Sequence, residues 1–187
     1  MKSTLKLACT ALVAAGLLAI GGCSAAPSQA IPKSEPTFTP VFKTDAEAMA
    51  AAEKDYAGYV ATTVAVANSN NPNPNLISQW VTPSAVAPTV KSFYDVTKSG
   101  SYEHGNIAVT HFALEDLEQT PSGRVVLTAY VCVDVTQMRL YDQAGADVTP
   151  ATRPNLTPIE IQFKNAHPGS RTLLVDRSVP WGGRDFC

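Results

Sequence analysis

The side chains that could do chemistry are few in this 187-residue sequence, and none of them forms a recognisable catalytic or metal-binding motif. The candidates are four cysteines and three histidines: Cys9, Cys23, Cys132, Cys187, His104, His111 and His167. The sequence contains no Cys-x-x-Cys pair and no Cys/His cluster, which argues against a zinc site. It also lacks a Gly-x-Ser-x-Gly nucleophile motif and a phosphate-binding glycine loop. We therefore predict no catalytic residue, no metal and no cofactor.

The first 22 residues predict a secretory signal. A basic start with Lys2 and Lys6 precedes an apolar stretch over residues 7–20. This stretch is shorter than the roughly 20 residues that span a bilayer, and it suits the apolar part of a signal peptide. It ends in Ala19-Ile-Gly-Gly-Cys23, where small side chains precede a cysteine and leave an extended backbone open to a peptidase.

This ending resembles the lipobox of bacterial lipoproteins. The resemblance implies that a peptidase removes residues 1–22 and that Cys23 carries the lipid as the new first residue. The chain would then be held at the extracytoplasmic face of the cell membrane. The alternative is an ordinary secretory signal with a chance cysteine.

Residues 23–43 then form a lipidated cysteine followed by a proline-rich tether. The prolines of the tether are Pro27, Pro32, Pro36 and Pro40. Proline favours an extended backbone of about 3.1 Å per residue, so the tether could hold a domain up to roughly 60 Å from the lipid. The folded domain is predicted over residues 44–187.

The same processing leaves two cysteines without another role. Cys9 would leave with the signal and Cys23 would be consumed by the lipid, so Cys132 and Cys187 remain. A disulfide persists in an oxidising extracytoplasmic compartment. We therefore predict a bond between these two residues, which would tie the end of the chain to the strand that carries Cys132.

Composition argues against nucleic acid as a partner. Charged residues make up 16% of the chain and the formal net charge is −2. Removal of residues 1–22 takes away two lysines and no acid, which leaves the mature chain mildly acidic. No basic surface for nucleic acid follows from such a balance. The partners we expect are the membrane, through the lipid anchor, and an envelope protein, while the oligomeric state stays open.

Two helices are predicted at the start of the domain. Thr44-Asp-Ala-Glu47 is a capping box, and it opens an amphipathic helix of about 23 residues. An Asn- and Pro-rich loop at 68–75 ends this helix. Thr82-Pro83 then begins a second, shorter helix, which Gly100 closes.

The second half of the domain predicts a meander of about four strands, centred on residues 123–136. Alternation there places Val125, Leu127, Ala129 and Val131 on a buried face, with Tyr130 on the other. Earlier, residues 101–114 predict one strand in which Val109 and His111 oppose Phe112. The central strand is predicted to continue, after a kink near residues 136–137, through residues 138–141. Later strands are predicted over residues 159–163 and from residue 172 towards Trp181. The fold class is α+β, with the two helices packed on one face of a curved antiparallel sheet.

This element order resembles the NTF2-like (SnoaL-like, cystatin-like) superfamily, and in particular the lipid-anchored domains of that type found in actinobacteria. The resemblance also rests on Trp80, on Tyr130-Val-Cys-Val-Asp134 and on the ending Trp-Gly-Gly-Arg-Asp-Phe-Cys at 181–187. It implies a cone in which inward-facing strand residues line a pocket. In such a cone His111, Tyr130 and Asp134 would be the pocket candidates, although a histidine in a strand more often has a structural role. His104 is predicted as a solvated strand end, and His167 as an exposed turn residue.

Three functions are compatible with these features. The first is a non-catalytic, membrane-tethered domain that binds a protein or another envelope component, and it is the one that we expect. The second is a domain with a pocket for a small apolar ligand. The third is a SnoaL-like isomerase or hydrolase, which would need a His–Asp pair inside a cavity. A filled cone with an exposed apolar surface would favour the first.

Overall fold

A computed structural model describes residues 37–183 and 186–187 of the chain. The predicted signal, Cys23 and the first part of the tether lie outside the described residues. No helix in the described part is long and apolar enough to cross a membrane.

The described domain is α+β, as the sequence predicts, with two α-helices packed against a four-stranded antiparallel sheet. In chain order the elements are α1 (Asp45–Ala67), a 3₁₀ helix (Pro74–Gln79), α2 (Pro83–Lys98), β1 (Ser101–His104), β2 (Ala108–Gln119), β3 (Val125–Asp134), β4 (Arg139–Asp142), β5 (Leu156–Asn165) and β6 (Leu173–Pro180). The large sheet has the order β2-β3-β5-β6, and every neighbouring pair is antiparallel.

α1 begins at the predicted capping box. Thr44 Oγ1 accepts a hydrogen bond from the backbone N–H of Glu47 at 3.1 Å. The Glu47 carboxylate reaches back to the N–H of Lys43, one residue before the cap, and Arg171 contacts the same carboxylate. The helix runs for 23 residues, as predicted. Its buried positions are Ala48, Ala52, Tyr56 and Val66.

β3 is the central strand, and its alternation is confirmed. Val125, Leu127, Ala129 and Val131 are buried against the helices, while the side chains between them are half-buried on the opposite face. This arrangement follows from the period of two in a strand, because an apolar set on one face is stable only when that face is covered. The space between the helices and the sheet is filled by fully buried side chains that include Phe42, Ile77, Leu127, Ile161 and Phe163.

The single strand predicted over residues 101–114 is wrong. The strand is interrupted at Gly105, which has φ +134. Gly105 lies so close to the Gln137 carbonyl that a Cβ would stand 2.0 Å from the oxygen. Before the break, β1 pairs with β4 in a separate two-stranded sheet. After it, β2 joins the large sheet. His104 is exposed at the end of β1, and His167 is exposed between β5 and β6.

The 3₁₀ helix was not predicted, and it covers one end of the core. Ile77 in this helix is fully buried. The following Trp80 lies flat against α1, where its indole nitrogen donates to Thr62 Oγ1 at 2.7 Å. Gly58 is required at this contact, because a Cβ there would stand 2.1 Å from the indole ring. The Asn- and Pro-rich segment therefore ends in an ordered part of the core.

α2 begins at Thr82-Pro83 as predicted, and Gly100 with φ +78 follows its end. The Thr82 side chain does not cap the helix. It donates instead to Asp176 Oδ1 in β6 at 2.7 Å.

The predicted disulfide is confirmed. Cys132 and Cys187 are bonded, with their Cα atoms 5.5 Å apart. The end of the chain thereby lies across the face of the sheet that points away from the helices. There the Trp181 ring packs on Tyr130 with centroids 4.6 Å apart, and the Phe186 ring lies 5.7 Å from the same tyrosine.

Candidate functional site

The main concave surface lies between α1 and the first half of β2. One wall is a helical stripe whose residues recur at three and four positions: Glu53, Tyr56, Ala57, Val60, Ala61 and Val64. The other wall is the chain from Asn106 to Phe112. The cavity has a volume of about 690 Å³ and is open to solvent. We call it the α1–β2 groove.

Two bulges in β2 give the groove its second wall. The register passes from Thr110 opposite Cys132 to Phe112 opposite Val131, so His111 is an extra residue in β2. A second shift leaves Glu115 as another extra residue. Each bulge inserts one residue and reverses the alternation that follows it. The expected alternation of residues 107–112 is therefore wrong, because Val109 and Phe112 both pack against the core.

His111 lines the groove with an unusual backbone. Its φ is +50, and it is the only non-glycine residue with a positive φ among the residues that the structure describes. A non-glycine residue with positive φ is uncommon and carries a cost in free energy. The side chain is exposed, and so is Glu53 on the facing helix. The groove thus contains two solvated ionisable groups, His111 and Glu53, over an apolar floor.

The tyrosines below the groove belong to the core. Tyr56 packs edge-on against Phe112 and Phe163 and is stacked on Tyr59. Burial raises the pKa of Tyr56 far above its usual value, and burial also raises the pKa of Tyr59. Both phenols therefore stay protonated at neutral pH, which suits packing and not base catalysis.

Tyr130 and Asp134 lie on the other face of the sheet, so the structure does not bring them together with His111. Tyr130 is covered by the C-terminal residues, and a hydrogen bond with the Glu115 carboxylate, together with desolvation, raises its pKa to about 12. Asp134 lies at the end of β3, where hydrogen bonds from the side chain and backbone of Thr136 lower the pKa of its carboxyl. A carboxylate held in this way caps a turn.

A second, smaller groove lies at the far end of α1. It has a volume of about 370 Å³ and is formed by the end of α1, the following loop, α2 and β1. Its walls include Phe93, Tyr94 and Tyr102. Tyr94 and Tyr102 are 46% and 45% exposed, and Tyr102 stacks on Tyr141 with ring centroids 5.6 Å apart. This end of the domain therefore presents aromatic rings to solvent.

Neither groove contains an assembled reaction centre. Among the described residues no group of three or more His, Cys, Asp or Glu side chains is placed to hold a metal ion. The sequence named His111 as a candidate for the pocket of an NTF2-like cone, and the structure places it in the wall of the α1–β2 groove. The sequence did not single out the stripe of Ala57, Val60, Ala61 and Val64, because alanine and valine on an amphipathic helix do not by themselves indicate a binding surface.

Comparison with known proteins adds little. No protein-family model matches the chain, and no curated protein sequence matches it. Among solved structures, the chain is similar to a periplasmic fragment of TraM. The sequences are 14% identical, the TM-score is 0.45, and the match covers 74% of this chain and 98% of that chain. A similarity of this size supports no conclusion about family or function.

Proposed function

We propose that this chain is a lipid-anchored, extracytoplasmic domain that binds another protein of the cell envelope and does not catalyse a reaction. The anchor is supported by the basic start, the short apolar stretch and the lipobox-like end at Cys23. The disulfide between Cys132 and Cys187 supports an extracytoplasmic location, since disulfides persist where conditions are oxidising. The NTF2-like assignment also stays a proposal, supported by the order of helices and strands.

One observation carries the binding function. The interior between helices and sheet is filled, whereas an apolar groove stays open at the edge of the sheet. Apolar surface left open to water on a folded domain is characteristic of interaction sites. An enzyme of the SnoaL type would need His111 and a carboxylate enclosed together, but Asp134 lies on the opposite face and Glu53 is exposed.

A small apolar ligand is the second candidate. The groove volume of about 690 Å³ lies within the usual range of roughly 300–1,000 Å³ for ligand pockets. A native mass spectrum of the purified full chain separates the two. A co-purifying molecule that the substitution Ala61→Trp removes would favour the ligand pocket over the protein partner.

Photo-crosslinking in intact cells tests the protein-binding function. A photoreactive amino acid replaces Ala61 in the groove or Ala65, an exposed residue of the same helix that is not part of the groove. We expect a discrete protein adduct from position 61 and none from position 65. Equal labelling at both positions, or none at either, would contradict the proposal.

The anchor has a separate test. The substitution Cys23→Ala removes the only group that could carry the lipid at this site, so the protein should leave the membrane fraction or remain unprocessed. Cell fractionation and the mass of the mature chain measure this. A substituted protein that is cleaved and still sediments with membranes would show that the lipoprotein interpretation is wrong.

A further inference from the structure

The two edges of the large sheet differ. At β6 the chain itself pairs with the edge at one position, where the N–H of Val175 donates to the Trp80 carbonyl and its carbonyl accepts from the N–H of Thr82, both at 2.9 Å. At β2 no strand pairs with the outer side anywhere in residues 37–183 or 186–187. An uncovered edge presents unpaired N–H and C=O groups, which can template an added strand. β2, with 12 residues against 8 in β6, therefore offers the longer unpaired edge to another chain.

The α1–β2 groove lies on the helix side of this free edge. Neighbouring strands lie about 4.8 Å apart, and alternate side chains point to opposite faces. A strand added to β2 would direct every second side chain towards α1 and into the groove. Ala57 and Ala61 are exposed and small, so they leave room for these side chains. The floor formed by Val60, Val64 and Phe112 selects apolar ones.

The other face of β2 is acidic. Glu115, Asp116 and Glu118 are in this strand, which contains no lysine or arginine. Asp116 and Glu118 are opposite Thr128 and Val126 of β3, on the face that points away from the helices. In the part of the chain that the structure describes, no ion pair involves these three carboxylates. Like charges on paired strands repel, so the edge disfavours a second copy of β2 and favours a basic strand.

We propose that β2 accepts an extended segment of a partner protein as a fifth strand, and that this segment alternates apolar and basic residues. The apolar residues fill the α1–β2 groove, and the basic residues lie beside Asp116 and Glu118 on the opposite face. Backbone hydrogen bonds supply affinity in this mode, and the side chains supply specificity. The bulges at His111 and Glu115 divide the added ladder into short blocks. This inference rests on the proposed function and specifies its partner.

Peptide binding to the full chain in neutral detergent micelles tests the proposal. The probe is a capped peptide of about nine residues, a usual strand length, in which valine and lysine alternate. A second peptide carries glutamate in place of lysine, and a third is the lysine peptide with alternate backbone nitrogens methylated. Fluorescence anisotropy gives the three values of Kd. We expect the lysine peptide to bind at least about tenfold more tightly than either of the others, because only this peptide has both positive charges and a full set of backbone N–H donors.

Variants of the groove and of the acidic face locate the binding site. Ala61→Trp fills the groove and should raise the Kd of the lysine peptide at least about tenfold, whereas Ala65→Trp on the exposed side of α1 should leave this Kd unchanged. Replacement of both Asp116 and Glu118 by lysine should reverse the preference, so that the glutamate peptide binds better. Circular dichroism of each variant confirms that it is folded.

Several results would overturn the inference. Equal affinity for the lysine and glutamate peptides would remove the charge argument, and unchanged binding after backbone methylation would exclude strand addition. Analytical ultracentrifugation could instead show a concentration-dependent dimer that Ala61→Trp abolishes. In that case a second copy of this chain would occupy the α1–β2 groove. If position 61 crosslinks to a protein in cells and no peptide binds, the partner has a different chemistry and the protein-binding function stands. If neither occurs, both proposals fail.

Discussion

At the scale of single residues, His111 combines a side chain in the wall of the groove with a backbone that few non-glycine residues adopt. The histidine lies in the groove, but what the chain demands of this position is a backbone with φ +50 at a bulge. Glycine adopts this conformation without the steric penalty of a Cβ, and a β-branched residue adopts it with the greatest difficulty. The groove wall therefore depends on the backbone of His111 more than on its imidazole.

Substitution at His111 tests this role. His111→Gly should raise the free energy of unfolding by up to about 1 kcal/mol, because it removes the strain of a positive φ. His111→Val should lower it by about 1–2 kcal/mol, since valine is β-branched. Urea denaturation measures both. Thr110→Gly, at a regular position of the same strand, is the control and should lower stability by about 1 kcal/mol. Equal losses for glycine at positions 110 and 111 would refute the argument.

At the scale of elements, the sequence predicted those parts whose period is regular. The capping box located the start of α1, and the alternation of β3 identified its buried face. β2 was misassigned because its two bulges break the period of two. A signal was present: Val109, Phe112, Leu114 and Leu117 recur in steps of three, two and three residues. The 3₁₀ helix was missed because a composition typical of loops surrounds its two buried residues, Pro74 and Ile77.

The contact between α1 and Trp80 predicts that an alanine in place of Gly58 destabilises the domain, which is opposite to what helix propensity predicts. Glycine to alanine in a helix normally stabilises it by about 1 kcal/mol. At Gly58 a Cβ would stand 2.1 Å from the Trp80 ring, so Gly58→Ala should instead lower the free energy of unfolding by about 1–3 kcal/mol. In a Trp80→Ala background the same substitution should stabilise. Thermal and urea denaturation of the double-mutant cycle measure the coupling, and a stabilising effect in the wild-type background would contradict the contact.

Asp176 links α2 to β5 and β6, and its contribution should depend on pH. Its carboxylate accepts from Thr82 at 2.7 Å and from Ser84 at 3.3 Å, and it pairs with Lys164 at 2.7 Å. Burial alone would raise the pKa of Asp176, but Lys164 and the two hydroxyls outweigh it and the pKa is lowered. A lowered pKa means that the stabilisation is fully present above the ordinary value of 3.8 and is lost as pH falls through the lower value.

Asp176→Asn should therefore lower the free energy of unfolding at pH 7 by about 1–3 kcal/mol, because charge-assisted hydrogen bonds are lost. The difference from wild type should shrink as the pH falls below 3.8. Urea denaturation between pH 7 and pH 2.5 measures it. Asp95→Asn is the matched control, since Asp95 is in an exposed pair with Lys91 and should have little effect. A difference that does not depend on pH would contradict the role of the charge.

At the scale of the whole molecule, the domain has two distinct ends. α1 begins at Asp45 and is about 34 Å long at 1.5 Å per residue. The groove beside β2 lies along this helix, and the aromatic surface with Tyr94 and Tyr102 lies at its far end. At the outer face of the sheet, Trp181 and Phe186 pack on Tyr130, with Trp181 held by its N–H to the Pro158 carbonyl at 2.8 Å and Cys187 by the disulfide.

The disulfide should set much of the stability of this arrangement. The bond closes a loop of 55 residues, for which the chain-entropy model gives roughly 4 kcal/mol as an upper figure. Cys187→Ser should lower the melting temperature and free Phe186 from Tyr130, while the hydrogen bond from Trp181 to Pro158 keeps Trp181 in place and the sheet keeps its secondary structure. Near-ultraviolet and far-ultraviolet circular dichroism separate these effects. Reduction of the wild type is the control and should match the substitution. Alkylation of the unreduced, denatured protein with peptide mapping decides the pairing, and labelled thiols at both Cys132 and Cys187 would refute it.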